Sequence, residues 1–277
     1  MADAHTPPLE LDLGSNTATA KARWAYLPPN GLLMFVHGFK GAAVTTWGSL
    51  PDLLCADPKL ADYDVIRFGY PSVVQTASES AQELQRLLNK LLLCTNASDF
   101  VNRSIKEYKK DADPRTATWG YKSVVLVGHS LGACVIRRAV LNQLRSGGKP
   151  WPQNWKLIWF APAHRGARLF RLWSLVTLGV PLEGIDKLAS FFAPVLADLA
   201  EDSDFLEELL EQTEKLVPKN PQLNAPLTFW AWKDKVVVNR EFGTDKTPYE
   251  NITGVNHISI CKEKAARQTL PVLLGEL

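Results

Sequence analysis

The sequence predicts an α/β protein with a mostly parallel central sheet, helices on both faces and a helical cap insertion. Apolar runs of strand length, such as Leu32–Val36 and Val124–Val127, lack polar alternation, which is typical of strands buried on both faces of a sheet. Between such runs lie stretches with apolar residues at helical spacing, above all Ala77–Cys94. Strands and helices therefore alternate as in βαβ units.

The other elements follow from local signals in chain order. Residues 1–16 contain two prolines and no period, so we expect a loose arm there. Thr17–Leu27 alternates small or apolar with polar residues and predicts an edge strand. The polar and charged stretch Thr95–Gly120 predicts a solvated helix and loop. Further strands are expected at Tyr63–Tyr70, Lys156–Ala161, Pro226–Trp232 and Tyr249–Val255, and further helices within Thr45–Cys55 and Cys261–Leu274.

Composition and length favour one globular domain. The chain has 277 residues, of which 46% are hydrophobic and 22% are charged. No Gly/Ser-rich or Pro-rich linker divides it, so we expect a single domain over residues 1–277. The formal net charge is only +2, and there is no long basic block, so no nucleic-acid partner is expected.

Targeting and redox signals favour a cytoplasmic protein. The first residues lack the basic and apolar regions of a secretory signal, and no uncharged apolar run approaches the roughly 20 residues of a membrane-spanning helix. The cysteines are far apart and show neither a CxxC nor a zinc-ligand spacing, so we expect reduced thiols, no metal and no other cofactor. These cysteines are Cys55, Cys94, Cys134 and Cys261.

The strongest chemical signal is the sequence GHSLG at residues 128–132, between an apolar strand and a helix-forming stretch. A nucleophile elbow holds a serine on a strained strand-to-helix turn and needs small residues two positions before and after it. Gly128 and Gly132 meet this need around Ser130, and His129 lies within the motif. The alternative is a glycine-rich turn whose serine only caps the helix. We predict the elbow, with Ser130 as the nucleophile.

A second motif, HGFKG at residues 37–41, follows the first buried strand. With the elbow, it resembles the α/β-hydrolase family, in which a His-Gly pair follows an early central strand. In that family one oxyanion-hole amide comes from this loop and another from the residue after the nucleophile. The resemblance implies the amides of Phe39 and Leu131, with a structural role for His37. The alternative is that His37 and Gly38 form an ordinary βα loop.

A serine nucleophile needs a base and an acid. Serine is weakly nucleophilic at neutral pH, so a histidine must accept its proton while a carboxylate orients that histidine. Hydrolases of this fold carry serine, acid and histidine in that chain order, and His257 is the only histidine late enough. Asp234 follows the strand Pro226–Trp232, where the family carries its acid. Asp245, in a polar loop nearer to His257, is the alternative acid.

Residues 167–224 break the strand-helix alternation. Three successive helical stretches without a strand predict a helical cap inserted into the domain. Its apolar side chains either line a hydrophobic substrate pocket or attach the cap to the core, and a basic, apolar stretch around Leu169–Leu178 also leaves contact with a membrane surface open. His164 and Arg165 follow a strand at the carboxyl edge of the sheet, where ligands bind. Possible pocket residues are Trp47, for which a core position is the alternative, His164, Arg165, Phe170, Trp173, Phe191 and Phe192.

Five stretches carry a narrower resemblance: HGFKGAAVTTW, YDVIRFGYPS, VGHSLG, FAPAHRGA and NHISICK. They resemble the branch of α/β serine hydrolases related to GPI inositol deacylases and phospholipid-remodelling serine-active-site proteins. The resemblance implies ester hydrolysis or acyl transfer, often on lipids, although this sequence lacks the membrane spans of the deacylases. We predict a carboxylesterase or lipase-like hydrolase acting on a hydrophobic ester or lactone. An acyltransferase and a non-catalytic interaction protein are the alternatives, and nothing indicates the oligomeric state.

Overall fold

A computed structural model describes most of the chain. The described residues are 4–15, 17–93, 97–111, 114–116, 119–152, 154–168, 194–232, 234–237, 242, 245 and 249–277. Within these ranges no helix is both long enough and apolar enough to span a membrane. The cytoplasmic location stays a prediction.

The centre of the molecule is an eight-stranded sheet with strand order β1-β2-β4-β3-β5-β6-β7-β8. The strands are β1 Leu9–Leu11, β2 Thr19–Arg23, β3 Gly31–Val36, β4 Tyr63–Gly69, β5 Ser123–His129, β6 Trp155–Phe160, β7 Leu227–Ala231 and β8 Tyr249–Ile252. From β4 to β8 all neighbouring strands are parallel, whereas β1 and β2 are antiparallel to their neighbours. The sequence-based prediction of a mostly parallel sheet is confirmed.

The middle strands carry the core. Every residue of β3 and all but the first residue of β5 are buried, as expected for strands covered on both faces. In register, Val36 of β3 lies beside Gly128 of β5. The carboxyl ends of the two central strands therefore meet at one edge of the sheet, and the HGFKG and GHSLG motifs both begin there.

Helices occupy most of the connections between strands. The bounds are α1 Leu50–Cys55, α2 Ala77–Leu92, α3 Ala97–Lys106, α4 Leu131–Arg145, α5 Asp204–Leu216 and α6 Glu263–Glu276. Helix α2 begins with a capping box, in which the Thr76 hydroxyl accepts from the Glu79 amide and the Glu79 carboxylate accepts from the Thr76 amide. Its leucines are buried on one face, and this helix packs against α4. The helix that carries the elbow is thereby fixed on the sheet.

The amino-terminal expectation was wrong. Instead of a loose arm, Leu9–Leu11 forms the edge strand β1, paired with Ala20–Ala22 of β2, so β2 is the second strand and not the edge. His5 is also buried, and its Nε2 donates to the carbonyl of Tyr63. A three-residue strand shows too little alternation to be read from sequence, and its pairing depends on contacts distant in the chain.

The polar stretch before β5 also differs from its expectation. Arg115 is buried rather than solvated, because it forms two hydrogen bonds of 2.6 and 2.7 Å with the carboxylate of Asp64 on β4. Tyr121 donates to the same carboxylate at 2.6 Å. Three polar groups from separate segments satisfy one another inside the fold, as buried charges require.

Part of the predicted cap is described. Residues 194–198 are helical, and the third predicted helical stretch is α5, where Arg138 of α4 pairs with Glu208 of α5 at 3.0 Å. Ala167 forms a bridge with Val237, just after Asp234. The first two predicted cap helices fall mostly on residues 169–193, outside the described residues.

Candidate active site

Ser130 occupies a sharp turn between β5 and α4. Its backbone has φ 53° and ψ −123°, a conformation that costs a residue with a side chain about 1–3 kcal/mol and persists only where surrounding contacts enforce it. Here the Ser130 amide donates to Phe160 of β6, and the Ser130 carbonyl accepts from Ala163. The neighbouring strand and its loop therefore hold the serine in the geometry of a nucleophile elbow.

The two glycines of the motif allow this turn. A Cβ on Gly132 would collide with the backbone carbonyl oxygens of Val36 and His37, and a Cβ on Gly128 would lie 2.7 Å from the Cα of Ala133. Strand and helix backbones approach too closely for any side chain at either position. The spacing noted in the sequence thus has a steric cause.

Three predicted side chains form one hydrogen-bonded chain. Ser130 Oγ lies 3.0 Å from His257 Nε2, and His257 Nδ1 lies 2.8 Å from Asp234 Oδ2. All three side chains are largely or fully buried. They come from three loops at the carboxyl edge of the sheet, after β5, β7 and β8. The structure brings together the serine, acid and histidine that the sequence predicts.

Asp234 is held in its ionised form. Burial alone would raise its pKa, but the hydrogen bond and charge interaction with His257 and the amides of Val236 and Val237 outweigh burial and lower the pKa below the ordinary value. These amides donate to Asp234 Oδ1 at 2.8 and 3.2 Å. One carboxylate oxygen is therefore fixed by the backbone while the other faces His257, which orients the imidazole.

His129 lies against His257, the candidate base. Its Nε2 donates to the backbone carbonyl of His257 at 2.9 Å, and the two rings lie 4.8 Å apart between centroids. Burial and the neighbouring His257 lower the pKa of His129 to about 3. His129 is thus neutral at physiological pH and keeps its donor. His129 thus connects the turn at Ser130 to the loop that bears His257.

His37 is bound into the loop after β3. Its Nδ1 donates to the Gly38 carbonyl at 2.8 Å, its Nε2 accepts from the Tyr70 amide at 3.2 Å, and its ring stacks on Tyr70. Burial lowers the pKa of His37 to about 4. A Cβ on Gly38 would lie 2.7 Å from the Cβ of Ser130. These contacts place the HGFKG loop directly against the nucleophile.

This loop and the start of α4 offer the predicted oxyanion donors. Leu131 is the first residue of α4, so its amide has no acceptor within the helix and lies at the positive end of the helix dipole. Phe39 lines the cavity next to Ser130. The roles of the two amides stay predictions.

Asp245, the alternative acid, has another position. Its carboxylate accepts two hydrogen bonds from Arg137 of α4 at 2.6 and 2.7 Å and one from Trp159 at 3.1 Å. The Ala225 amide also donates to it. Asp245 is therefore engaged in a buried ion pair behind the elbow helix, and Asp234 alone of the two candidate acids contacts His257.

A cavity of about 270 Å³ opens at Ser130 and His257. Its described walls come from the HGFKG loop, the segment after it, the loop after Asp234 and the segment after His257. The lining residues are Phe39, Lys40, Gly41, Thr45, Thr46, His129, Ser130, Val236, His257, Ile258 and Lys262. The cavity has apolar and cationic walls.

None of the predicted pocket residues that the structure describes lines this cavity. Trp47 is fully buried and packs edge-on against Phe35 and Phe160, so it belongs to the core beneath the site. His164 is buried against the rings of Trp159 and Phe242. Phe170, Trp173, Phe191 and Phe192 lie outside the described residues.

Arg165 and His164 border a different cavity, which α5 lines with three glutamates. The loop after β6 contacts the Ser130 backbone through Ala163, but the side chains of His164 and Arg165 line this other cavity. A position after a strand end is therefore insufficient to assign a substrate contact.

Sequence reasoning missed most of the cavity wall. Lys40, Thr45 and Thr46 follow the predicted oxyanion loop, and Ile258 and Lys262 follow the predicted base. The one signal in the sequence that could have predicted these wall residues is their proximity in the chain to Phe39 and His257. In the described part of the chain, no group of three or more His, Cys, Asp or Glu residues is arranged to hold a metal ion.

A mostly parallel sheet with an elbow at the carboxyl end of a central strand defines the α/β-hydrolase fold, and solved structures confirm it. The peroxisomal alpha-beta-hydrolase Lpx1 from Saccharomyces cerevisiae matches with a TM-score of 0.53 and 12% identity, over 98% of this chain and 84% of that one. A Pyrococcus furiosus esterase matches with a TM-score of 0.52 and 12% identity, over 99% and 90% of the two chains. A Paleococcus ferrophilus monoacylglycerol lipase gives 0.50 and 13%, over 93% and 97%.

At these identities the likeness shows the fold alone. No protein-family model matches the chain, and no curated protein sequence matches it. The narrower resemblance to GPI inositol deacylases and phospholipid-remodelling proteins stays a prediction.

Proposed function

We propose that this protein is a serine hydrolase that cleaves a hydrophobic carboxylic ester or lactone through an acyl-enzyme intermediate. The observation that carries the proposal is the continuous chain of hydrogen bonds from Ser130 through His257 to Asp234, at 3.0 and 2.8 Å. The solved esterase and lipase with the same fold support it.

In the first half of the reaction, Ser130 Oγ attacks the ester carbonyl carbon while its proton passes to His257 Nε2. Asp234 stabilises the resulting imidazolium and keeps Nδ1 protonated towards itself. Collapse of the tetrahedral intermediate breaks the bond to the alcohol oxygen, which takes the proton from Nε2. The alcohol leaves, and the acyl group stays on Ser130.

In the second half, water replaces the alcohol. His257 Nε2 accepts a proton from the water as its oxygen attacks the acyl carbon, and then returns a proton to Ser130 Oγ as the acid leaves. In both halves the carbonyl oxygen becomes negative, and the amides of Phe39 and Leu131 donate to it. Each such donor contributes about 3 kcal/mol to transition-state stabilisation. The steps need no cofactor.

The elbow explains why Ser130 reacts. Its strained φ of 53° directs Oγ away from the sheet into the cavity, and the start of α4 lies directly behind it. Hydrogen bonding to a neutral histidine activates a hydroxyl that is otherwise a weak nucleophile.

The test is the hydrolysis of p-nitrophenyl esters of increasing acyl length, and of a lactone, by the purified protein and by Ser130→Ala in parallel. We expect turnover only when Ser130 is present. The preferred acyl length shows whether the pocket accepts a short or a long chain, and product analysis with an added alcohol distinguishes hydrolysis from acyl transfer.

An inert protein would be examined with a fluorophosphonate probe. Labelling of the wild type but not of Ser130→Ala would show an activated serine with a more selective substrate. Absence of both turnover and labelling would refute the proposed function and favour a non-catalytic interaction protein.

A further inference from the structure

The charged side chains among the described residues that line the cavity at Ser130 are both lysines. Lys40 and Lys262 both line it, and the described lining residues include neither aspartate nor glutamate. Asp234, the carboxylate that contacts His257, is also bound by two backbone amides, and its side chain is fully buried. Among the described residues that line this cavity, the only formal charges on at least partly exposed side chains are therefore those of lysines.

Lys262 is the better defined of these two cations. None of the ion pairs among described residues involves its ammonium group. The carboxylate of the neighbouring Glu263 accepts from the Ser49 amide at 3.0 Å. Lys262 is partly buried in the cavity wall. The pKa of Glu263 is lowered by hydrogen bonds from its own amide and from Ser49 and, to a smaller extent, by the charge of Lys262, but the described ion pairs leave the Lys262 ammonium group open to a ligand in the cavity.

The position of Lys262 at the start of α6 is unfavourable for a cation, although the acidic Glu263 lies in the same first turn. Lys262 is the N-cap residue of α6, and its side chain makes no capping hydrogen bond. Helix N-caps favour Ser, Thr, Asp or Asn, and a cation at this end is repelled by the helix dipole by about 0.3–1 kcal/mol. Residues that break a local rule are expected where function requires them.

The rest of the wall is suited to a small amphiphilic ester. Phe39, Val236 and Ile258 supply apolar surface, while Thr45 and Thr46 add hydroxyl groups. The Thr46 oxygen already accepts from the Ala42 amide at 3.1 Å, so its proton is available to a ligand. The described cavity of about 270 Å³ has room for a short charged group beside the scissile ester.

We propose that the ester cleaved at Ser130 carries an anionic group, a carboxylate or a phosphate, a few bonds from the scissile carbonyl, and that Lys262 binds this group. Lys262 is then a specificity-determining residue. The inference rests on the proposed function and narrows its substrate class.

The test compares matched neutral and anionic esters. One pair differs on the acyl side, p-nitrophenyl valerate against p-nitrophenyl hemiglutarate. The other pair differs on the alcohol side, dibutyrylglycerol against dibutyrylglycerol 3-phosphate. We expect kcat/KM to be higher for the anionic member of at least one pair, and that pair identifies the carboxylate or the phosphate as the recognised group. The preference should weaken in 0.5 M salt, because salt screens partly exposed charges.

Substitutions of Lys262 test whether this residue causes the preference for anionic esters. Lys262→Gln should lower kcat/KM for the preferred anionic ester by about tenfold, the size expected for one charge-assisted contact. The loss for the neutral partner should be clearly smaller, since a neutral ester makes no charge-assisted contact with the ammonium group. Lys262→Arg should recover much of the loss. Lys264→Gln, an exposed lysine two residues further on the same helix, is the matched control and should change neither ester.

A second experiment measures binding of the anionic group at this site in a variant that cannot cleave the ester. Calorimetric titration of Ser130→Ala with uncleaved hemiglutarate or dibutyrylglycerol 3-phosphate should show binding that Lys262→Gln weakens in the same background. Equal kcat/KM within both pairs, or an equal loss for neutral and anionic esters in Lys262→Gln, would overturn the proposal while leaving the hydrolase intact. If no ester is cleaved and neither anion binds to Ser130→Ala, both proposals fail.

Discussion

Asp234 and Asp245 precede His257 in the sequence, and the structure predicts opposite consequences when each is neutralised. Asp234→Asn should lower kcat by about 10⁴-fold with little loss of stability, because an amide no longer holds the imidazole in the productive tautomer. Its side-chain oxygen can still accept from the amides of Val236 and Val237, which lie 2.8 and 3.2 Å from Oδ1. The loop is therefore expected to stay folded.

Asp245→Asn should act on stability instead. The Arg137 side chain is 0% exposed and that of Asp245 is 5% exposed, so the substitution leaves a buried guanidinium without its counter-charge. Breaking a buried ion pair in this way costs about 3–5 kcal/mol. The Asp245 carboxylate also accepts hydrogen bonds from the Trp159 indole and the Ala225 amide. The side chain introduced in Asp245→Asn has only one oxygen to accept these bonds.

Urea unfolding followed by tryptophan fluorescence, together with kcat on a p-nitrophenyl ester, separates the two effects. If Asp245→Asn proves too unstable to purify, the double replacement of Arg137→Met with Asp245→Leu removes both charges and should restore a folded protein, since apolar pairs of similar volume replace buried ion pairs well. The reasoning is refuted if Asp245→Asn unfolds at the wild-type urea concentration and has lost turnover, or if Asp234→Asn keeps its activity.

Two further predictions concern stability. The pKa of His37 is lowered from 6.5 to about 4 by burial, so between these pH values the unfolded chain binds a proton that the folded protein does not. The free energy of unfolding should therefore rise with pH over this window, by up to about 3 kcal/mol from His37. Urea midpoints measured from pH 4 to 7 should rise less in His37→Gln than in the wild type. An equal rise in both proteins would contradict the lowered pKa of His37. Gly132→Ala should destabilise the protein by at least about 1–3 kcal/mol, because the new methyl group collides with the carbonyls of Val36 and His37. Gly120→Ala is the control, since a methyl group there meets open space. Equal melting temperatures for the two variants would show that position 132 tolerates a side chain.

The parts of the fold predicted correctly from sequence are those whose signals are local. The uninterrupted apolar run at β5 and the helical spacing after it placed the elbow within a residue of its observed position, because both patterns arise from neighbours in the chain. The requirement for glycine at 128 is also local, because a Cβ there would meet the backbone of Ala133, whereas the requirement at 132 comes from Val36 and His37 at the end of β3. The strand bounds agree to within a few residues for the same reason.

The predictions that failed depended on distant contacts. The edge strand Leu9–Leu11 exists because β2 lies beside it, and three residues carry no periodicity to reveal it. Arg115 was expected in solvent because its neighbours in sequence are polar, whereas Asp64, some fifty residues earlier, draws it into the core. His164 follows a strand end at the sheet edge but is buried and does not line the cavity at Ser130, whereas Trp47 has the core position that was one of its two interpretations.

By itself, the sequence determined the order of the strands from β2 onward, the helices between the central strands, the strand-turn-helix at Ser130 and a short list of acids and bases. Each of these follows from steric and hydrophobic demands that act within a turn or a strand. Only the tertiary structure decided that Asp234 and not Asp245 faces His257, and that Lys40 and Lys262 line the cavity. Such choices depend on how loops from separate strands meet at one edge of the sheet, a geometry that no local pattern contains.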